Sequence, residues 1–225
     1  MKILLTGPHL SGKSTLIRRL AGKQIISIEV NGTTVGLDHG IAEVMGVPVR
    51  LFGTPGLARF KVLRRIISEG ADGIFFVVDA SNPDGDAEAR YIWTEISDLM
   101  PTVPCIIAAN KQDLHNARTP ERIRHDLSFM VGVPVIPVSA TTGINVDKLL
   151  GAMMMLIVFE WSPLLRAFTK SSGQSFKELA KNLGVTEQQI RSYLRWFELR
   201  KMIIVDWDKQ SARLAKGVDQ LLRQW

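Results

Sequence analysis

The chain is 225 residues long, 46% hydrophobic and 22% charged, with a formal net charge of +6. Those proportions exclude a disordered tail and predict a globular chain with room for one large domain and a small second one. It holds no run of about 18 apolar residues. Met1-Lys2 leads straight into an apolar segment, and the single Cys105 lies inside another. The expectation is therefore a reduced, cytoplasmic protein with no membrane span, secretory leader or lipid anchor. The basic excess is C-terminal: residues 1–161 carry 16 Lys and Arg against 16 Asp and Glu, and residues 162–225 carry 12 against 6. That asymmetry points to an anionic contact in the second part and not in the first.

Lys2 to Thr6 reads as a buried strand, and Ser14 to Leu20 carries Leu16, Ile17 and Leu20 at helical spacing. Between them stand Gly7, Pro8, His9, Leu10, Ser11, Gly12, Lys13 and Ser14, followed by Thr15. Strand, glycine-rich loop and helix in that order make a phosphate cradle. The glycines let backbone N–H groups turn toward an anion, Lys13 supplies a positive charge, and Ser14 offers a hydroxyl to a magnesium ion. Further on, the apolar strand Cys105 to Ala109 runs into Asn110-Lys111-Gln112-Asp113. A carboxylate at Asp113 accepts from the N1–H and the 2-amino group of guanine, donors that adenine lacks, so GTP and GDP are favoured over ATP. A third strand, Val135 to Val138, precedes Ser139-Ala140-Thr141, where a backbone N–H is placed to meet the guanine O6. The Met-rich run from Met153 to Phe159 continues the helical phase of residues 145–150 and predicts a buried final helix.

From Lys2 to about Phe159 these motifs resemble the small GTPases of the Ras and Arf type. The resemblance implies a P-loop GTPase domain over residues 1–161: an α/β fold with a six-stranded, mostly parallel sheet and helices on both faces. It implies a first switch at Thr33-Thr34-Val35-Gly36-Leu37-Asp38, with the Thr34 hydroxyl completing magnesium coordination when the γ-phosphate is present. The second switch, Leu51-Phe52-Gly53-Thr54-Pro55-Gly56-Leu57, departs from the usual D-x-x-G-Q. Gly56 keeps a backbone N–H for the γ-phosphate, whereas Gly53 lacks the magnesium-side carboxylate and Leu57 lacks the water-orienting amide. This combination is more like a prokaryotic branch that includes the bacterial polarity GTPases. Asp38 is expected to replace the missing carboxylate, making Ser14, Thr34 and Asp38 the metal set. His9, Lys13, Thr34 and Gly56 form the catalytic set. His9 and Leu10 stand where Ras-like members carry glycine and narrow the space for water, so hydrolysis is expected to be slow. Arg59, Arg64 and Arg65 offer an arginine finger in cis or to a neighbouring subunit, which leaves a homodimer open. Activating and regulatory partners are expected over residues 33–68.

Residues 162–225 predict a small α+β domain. Ser175-Phe176-Lys177-Glu178 has capping-box spacing, Phe176, Leu179, Ala180 and Leu183 make a helical stripe, and Gly184 ends it. A second helix buries Ile190, Tyr193, Leu194 and Phe197, and strands near Met202–Val205 and Arg213–Leu214 follow. The pattern resembles winged-helix regulators. It implies contact through Gln188, Gln189, Arg191, Ser192 and Arg195 with DNA or with a protein partner, and Glu187, Asp206 and Asp208 count against DNA. The reading is a GTP-dependent switch acting on that module. Two alternatives stay open: a nearly non-hydrolysing sensor or dimerisation device of a transcription regulator, and a signalling GTPase whose winged helix docks protein.

Overall fold

The computed structural model describes the chain apart from residues 23–24, 27–28, 31–32, 35–37, 56–60, 169–173 and 224–225. Two units emerge: Lys2–Ala42 with Val49–Met153, and Met1, Glu43–Pro48 and Met154–Trp225.

The first unit is organised by strands that are apolar on both faces. In chain order they are β1 (Lys2–Thr6), β2 (Ile25–Ile26), β3 (Glu29–Val30), β4 (Thr33–Thr34), β5 (Asp38–Val44), β6 (Val47–Gly53), β7 (Gly73–Asp79), β8 (Cys105–Asn110) and β9 (Val135–Pro137). Seven of them make one sheet in the order β2-β5-β6-β1-β7-β8-β9. β1 pairs in parallel with β6 and β7, and the parallel register continues through β8 to β9. The six expected strands are there, and the two-residue β2 adds an antiparallel edge on β5. Alternate residues Leu4, Ile74, Phe76 and Val78 join one buried cluster with Ile92 and Ile96 of α3 (Asp86–Leu99) and Ile123 of α4 (Pro120–Asp126). The other alternates, Ile3, Leu5, Phe75 and Val77, are equally buried, so the opposite face is covered too. Leu16 and Ile17 of α1 (Lys13–Ala21) and Leu149 and Met153 of α5 (Val146–Glu160) are buried in turn. The Met-rich run is therefore core-filling helix. Each fully buried Leu, Ile or Phe contributes about 1.5–3 kcal/mol. Among the described residues, no single helix is long and apolar enough to cross a membrane.

α2 (Lys61–Ser68) brings a correction. Arg64, read as a candidate arginine finger, has 0% exposure and donates to Glu95 Oε2 of α3 at 2.7 Å and to the Pro55 carbonyl at 3.3 Å. The helical phase of Leu63, Arg64 and Ile67 turns this side chain inward, where it braces α2 against α3. It is not available to a phosphate. Arg65 is exposed, and Arg59 lies outside the described residues.

In the second unit, α6 (Ser162–Leu165), β10 (Gln174–Ser175), α7 (Phe176–Leu183), α8 (Glu187–Leu199), β11 (Ile203–Asp206), β12 (Ser211–Leu214) and α9 (Lys216–Leu222) follow one another. The three strands form an antiparallel sheet ordered β10-β12-β11. Ser175 and Glu178 complete the expected capping box of α7, and Gly184 closes that helix in the left-handed region at φ 66°. α8 starts with a second capping box, Thr186 and Gln189. Phe176, Leu179, Ile190, Leu194, Phe197, Met202 and Leu221 form the core, with Trp161 stacked at 4.4 Å on Trp196. The turn Glu43–Pro48 also belongs here: a Cβ added at Gly217 of α9 would lie 2.1 Å from the Met45 carbonyl oxygen. The Met1 ammonium donates to the Pro48 and Arg200 carbonyls.

Removing one partner of the buried Arg64–Glu95 pair strands the other charge. Arg64→Ala is expected to destabilise the first unit by about 3–5 kcal/mol in urea unfolding, and the double change Arg64→Met with Glu95→Leu by much less.

Candidate nucleotide site

The loop after β1 is shaped by two contacts that only glycine permits. Gly7 has φ 133°, and a Cβ there would sit 2.2 Å from the Val77 carbonyl oxygen of β7. Gly12 has φ 92°, and its Cβ would sit 2.2 Å from Asn110 Nδ2. Gly12 is also the N-cap of α1 and makes no side-chain cap bond, so the first-turn N–H groups are left to an anion. Leu10 adopts φ 58° and is 66% exposed, the position where the resemblance has glycine.

Lys13 folds back into the loop it follows. Its ammonium donates to the Gly7 carbonyl at 2.9 Å, the Pro8 carbonyl at 2.6 Å and Ser11 Oγ at 3.3 Å. Burial lowers its pKa from 10.5 to about 8, with the Glu88 and Asp38 carboxylates opposing the fall. Next to it, Ser14 Oγ donates to Asp38 Oδ2 at 2.5 Å. Asp38 is 3% exposed at the start of β5, facing Gly53 on β6. A Cβ at Gly53 would lie 2.9 Å from Asp38 Cβ and 2.8 Å from Ile17 Cδ1. The glycine that looked like a loss in the second switch is the space Asp38 occupies.

The base-reading end is wired to the same loop. Asn110, 2% exposed, donates from Nδ2 to the Ser11 carbonyl at 2.9 Å and accepts the Ala140 N–H on Oδ1 at 3.0 Å. Ser139 Oγ donates to Asp113 Oδ1 at 2.6 Å, fixing the carboxylate read as the guanine acceptor. Lys111, at φ 67°, pairs with Asp79 at 2.6 Å. Burial opposes ionisation of Asp79, but hydrogen bonds from Lys111 and Ser81 outweigh it and hold the carboxyl below its ordinary value. Arg19 of α1 donates to the Ala140 and Thr141 carbonyls, and together with Thr15 these residues line a cavity of about 440 Å³.

Thus Gly7 to Thr15, Asp38, Asn110 to Asp113 and Ser139 to Thr141 converge. Thr34 lies on β4, paired with Glu29. Val35 to Leu37, Gly56 and Leu57 lie outside the described residues. Sequence reasoning missed Glu88, whose carboxylate accepts the His9 N–H at 2.8 Å, as well as Arg19 and Asp79. Asp79, at the end of an apolar strand, was the findable one. Nothing in the pattern around the other two marks them.

The residues expected to meet nucleic acid belong to α8 of the second unit. Gln188, Ser192 and Arg195 are exposed and Arg191 is half-buried. Gln189 is spent on the cap: its Oε1 accepts the Thr186 N–H at 2.9 Å and hydroxyl at 3.1 Å. Arg191 lies over the Phe176 ring and Arg195 over the Trp207 ring.

Lys13 sets a pH dependence. Phosphates favour the charged ammonium, and the free protein gives up that proton near pH 8. Affinity for GDP should hold steady below that point and fall as pH rises past it, by up to tenfold per unit. Calorimetric titration against Lys13→Arg, which stays charged, checks this: the variant's affinity should lack that limb.

The family described as 50S ribosome-binding GTPase matches residues 2–111. The mutual gliding-motility protein MglA of Myxococcus xanthus is 28% identical over 180 residues, covering 71% of this chain and 91% of that protein. The tRNA modification GTPase MnmE of Yersinia pseudotuberculosis is 32% identical over 159 residues, covering 66% of this chain and 34% of that protein. The match thus spans about a third of MnmE. A phosphate loop closed by two obligatory glycines, a buried lysine and an asparagine bridge to a base-reading loop agree with these relatives: the chain is a P-loop GTPase.

Proposed function

We propose that the chain is a magnesium-dependent GTP switch with slow intrinsic hydrolysis, whose nucleotide state controls a C-terminal winged-helix module at residues 162–225. The observation that carries the metal part is the Ser14–Asp38 contact over Gly53. A hydroxyl and a buried carboxylate side by side at the phosphate end suit a hard divalent cation that keeps several waters and takes phosphate oxygens. Among the described residues no three acidic, histidine or cysteine side chains gather elsewhere. Ser14, Asp38 and Thr34 would hold the ion. Bound there, magnesium neutralises charge on the terminal phosphates. Gly56 and Lys13 then serve the γ-phosphate, while Leu57, unlike a glutamine, gives the attacking water nothing to bond. His9, beside the loop's phosphate end, narrows the approach.

The control part rests on chain order and on packing within the C-terminal unit. The turn Glu43–Pro48 links the segment ending in Asp38 to the segment beginning at Gly53, and it packs on α9. A rearrangement of either segment therefore reaches this turn through a single strand. The helix–strand–helix–helix–strand–strand order with its β10-β12-β11 sheet supports the winged-helix reading. DNA is the partner that α8 favours: Arg191 and Arg195 are held on aromatic faces with no ion pair among the described residues. Protein docking is the second reading, favoured by exposed Leu199 and Ile204.

Asp38→Ala should raise the magnesium concentration needed for half-maximal GTP binding by tenfold or more in a nucleotide-exchange assay; an unchanged requirement removes Asp38 from the site. Single-turnover hydrolysis by the wild type should be slow, and Leu57→Gln should speed it. Duplex DNA of mixed sequence, titrated in a salt series with GDP and with a non-hydrolysable GTP analogue, should bind differently in the two states and weaken with salt. Equal, negligible binding in both would leave protein docking.

A further inference from the structure

We infer that Glu88, on α3 and outside every GTPase motif, is a positioning residue that locks the Pro8–His9 peptide of the phosphate loop. The inference rests on the reading that residues 7–14 hold the nucleotide phosphates. Both ends of that peptide are bound: its carbonyl accepts the Lys13 ammonium at 2.6 Å, and its N–H donates to Glu88 Oε2 at 2.8 Å. The carboxylate therefore determines which way the plane faces. With the N–H drawn toward α3, the Pro8 carbonyl is turned inward, where together with Gly7 it holds Lys13 at the root of the cradle.

Glu88 is itself held on a firm platform. Arg118 donates to both carboxylate oxygens of Asp86, two residues earlier in the first turn of α3, at 2.6 and 3.1 Å, and also to Asp126 at 3.0 Å. A Cβ at Gly85 would lie 3.5 Å from Pro8 Cβ, so the start of the helix lies in van der Waals range of the loop. The loop is thereby braced on two sides, by Asn110 through Ser11 and by Glu88 through His9. Bracing of this kind removes conformations the loop must otherwise lose on binding.

Three variants separate acceptor from charge. Glu88→Ala removes both, Glu88→Gln keeps an acceptor oxygen without the charge, and Glu88→Asp keeps the charge but draws the acceptor back by one methylene. GDP and a non-hydrolysable GTP analogue are titrated calorimetrically with magnesium at pH 7, each protein being checked for its fold by circular dichroism. Glu88→Ala and Glu88→Asp should bind both nucleotides roughly tenfold more weakly than the wild type. Glu88→Gln, which keeps the acceptor oxygen, should restore most of that loss. Wild-type affinity in Glu88→Asp, or Glu88→Gln as weak as Glu88→Ala, would overturn the positioning role while leaving the nucleotide site intact. A wild-type protein that binds neither nucleotide would instead overturn the site itself. Should Glu88→Ala fail to fold, the contrast between Asp and Gln decides.

Discussion

The carboxamide of Asn110 joins two loops that the chain makes about 130 residues apart. Its Nδ2 donates to Ser11 in the phosphate loop, and its Oδ1 accepts from Ala140 in the base-reading loop. Both are buried bonds, so each would leave an unpaired polar group if lost. Because the two ends of a nucleotide are a fixed distance apart, a site that reads both must hold them at one separation. Asn110 does so with a single rigid group, placed by the last residue of a strand that is buried on both faces. Gly12 is forced by the same contact, since any side chain there would strike the amide nitrogen. The glycine and the asparagine are thus two halves of one constraint. The phosphate loop, the sheet and the guanine-reading loop are all registered to it.

A second constraint explains the departure in the second switch. β5 and β6 are neighbours in the sheet, and the space between Asp38, Gly53 and Ile17 admits one carboxylate. Here the acid comes from β5, and the opposing position on β6 must then have no side chain. The substitution is therefore a paired exchange, not a loss: an acid restored at position 53 would have to share its volume with Asp38. Gly53 taken alone reads as a missing carboxylate; beside Asp38 it is the space that a neighbouring carboxylate fills.

The legible parts of the fold were those that short-range physics dictates. Two-faced apolar strands, glycine spacing, capping boxes at Ser175 and Gly184 as a helix stop all follow from local rules, and their elements stand where those rules put them. The order of motifs predicts a guanine site, and the residues of those motifs are joined by hydrogen bonds. What local pattern could not carry was helical phase against a tertiary neighbour. Arg64 stands in the sequence as a candidate arginine finger after the second switch, yet the phase of α2 buries it against Glu95. Gln189 looked like a base-contacting amide, yet its place three residues after Thr186 makes it a cap. Glu88 stands in the first turn of α3, where a helix dipole welcomes any negative charge, so its place alone marks nothing further. Its partner, His9, is 79 residues away, and no spacing rule reaches that far.

The energetics of Lys13 tie these observations to anion binding. An ammonium buried among two carbonyls and a hydroxyl gains hydrogen bonds but not full neutralisation, and its lowered pKa is the measure of that shortfall. The remedy is the ligand: phosphate charge is what the loop's N–H groups and Lys13 are arranged to receive. The folded state therefore carries a deficit that only an anion removes, and binding adds to stability by mass action. Pre-set geometry from Asn110 and Glu88 lowers the ordering cost of that binding. A loop set in advance in this way gives up little freedom when the anion arrives, and that favours a long-lived complex.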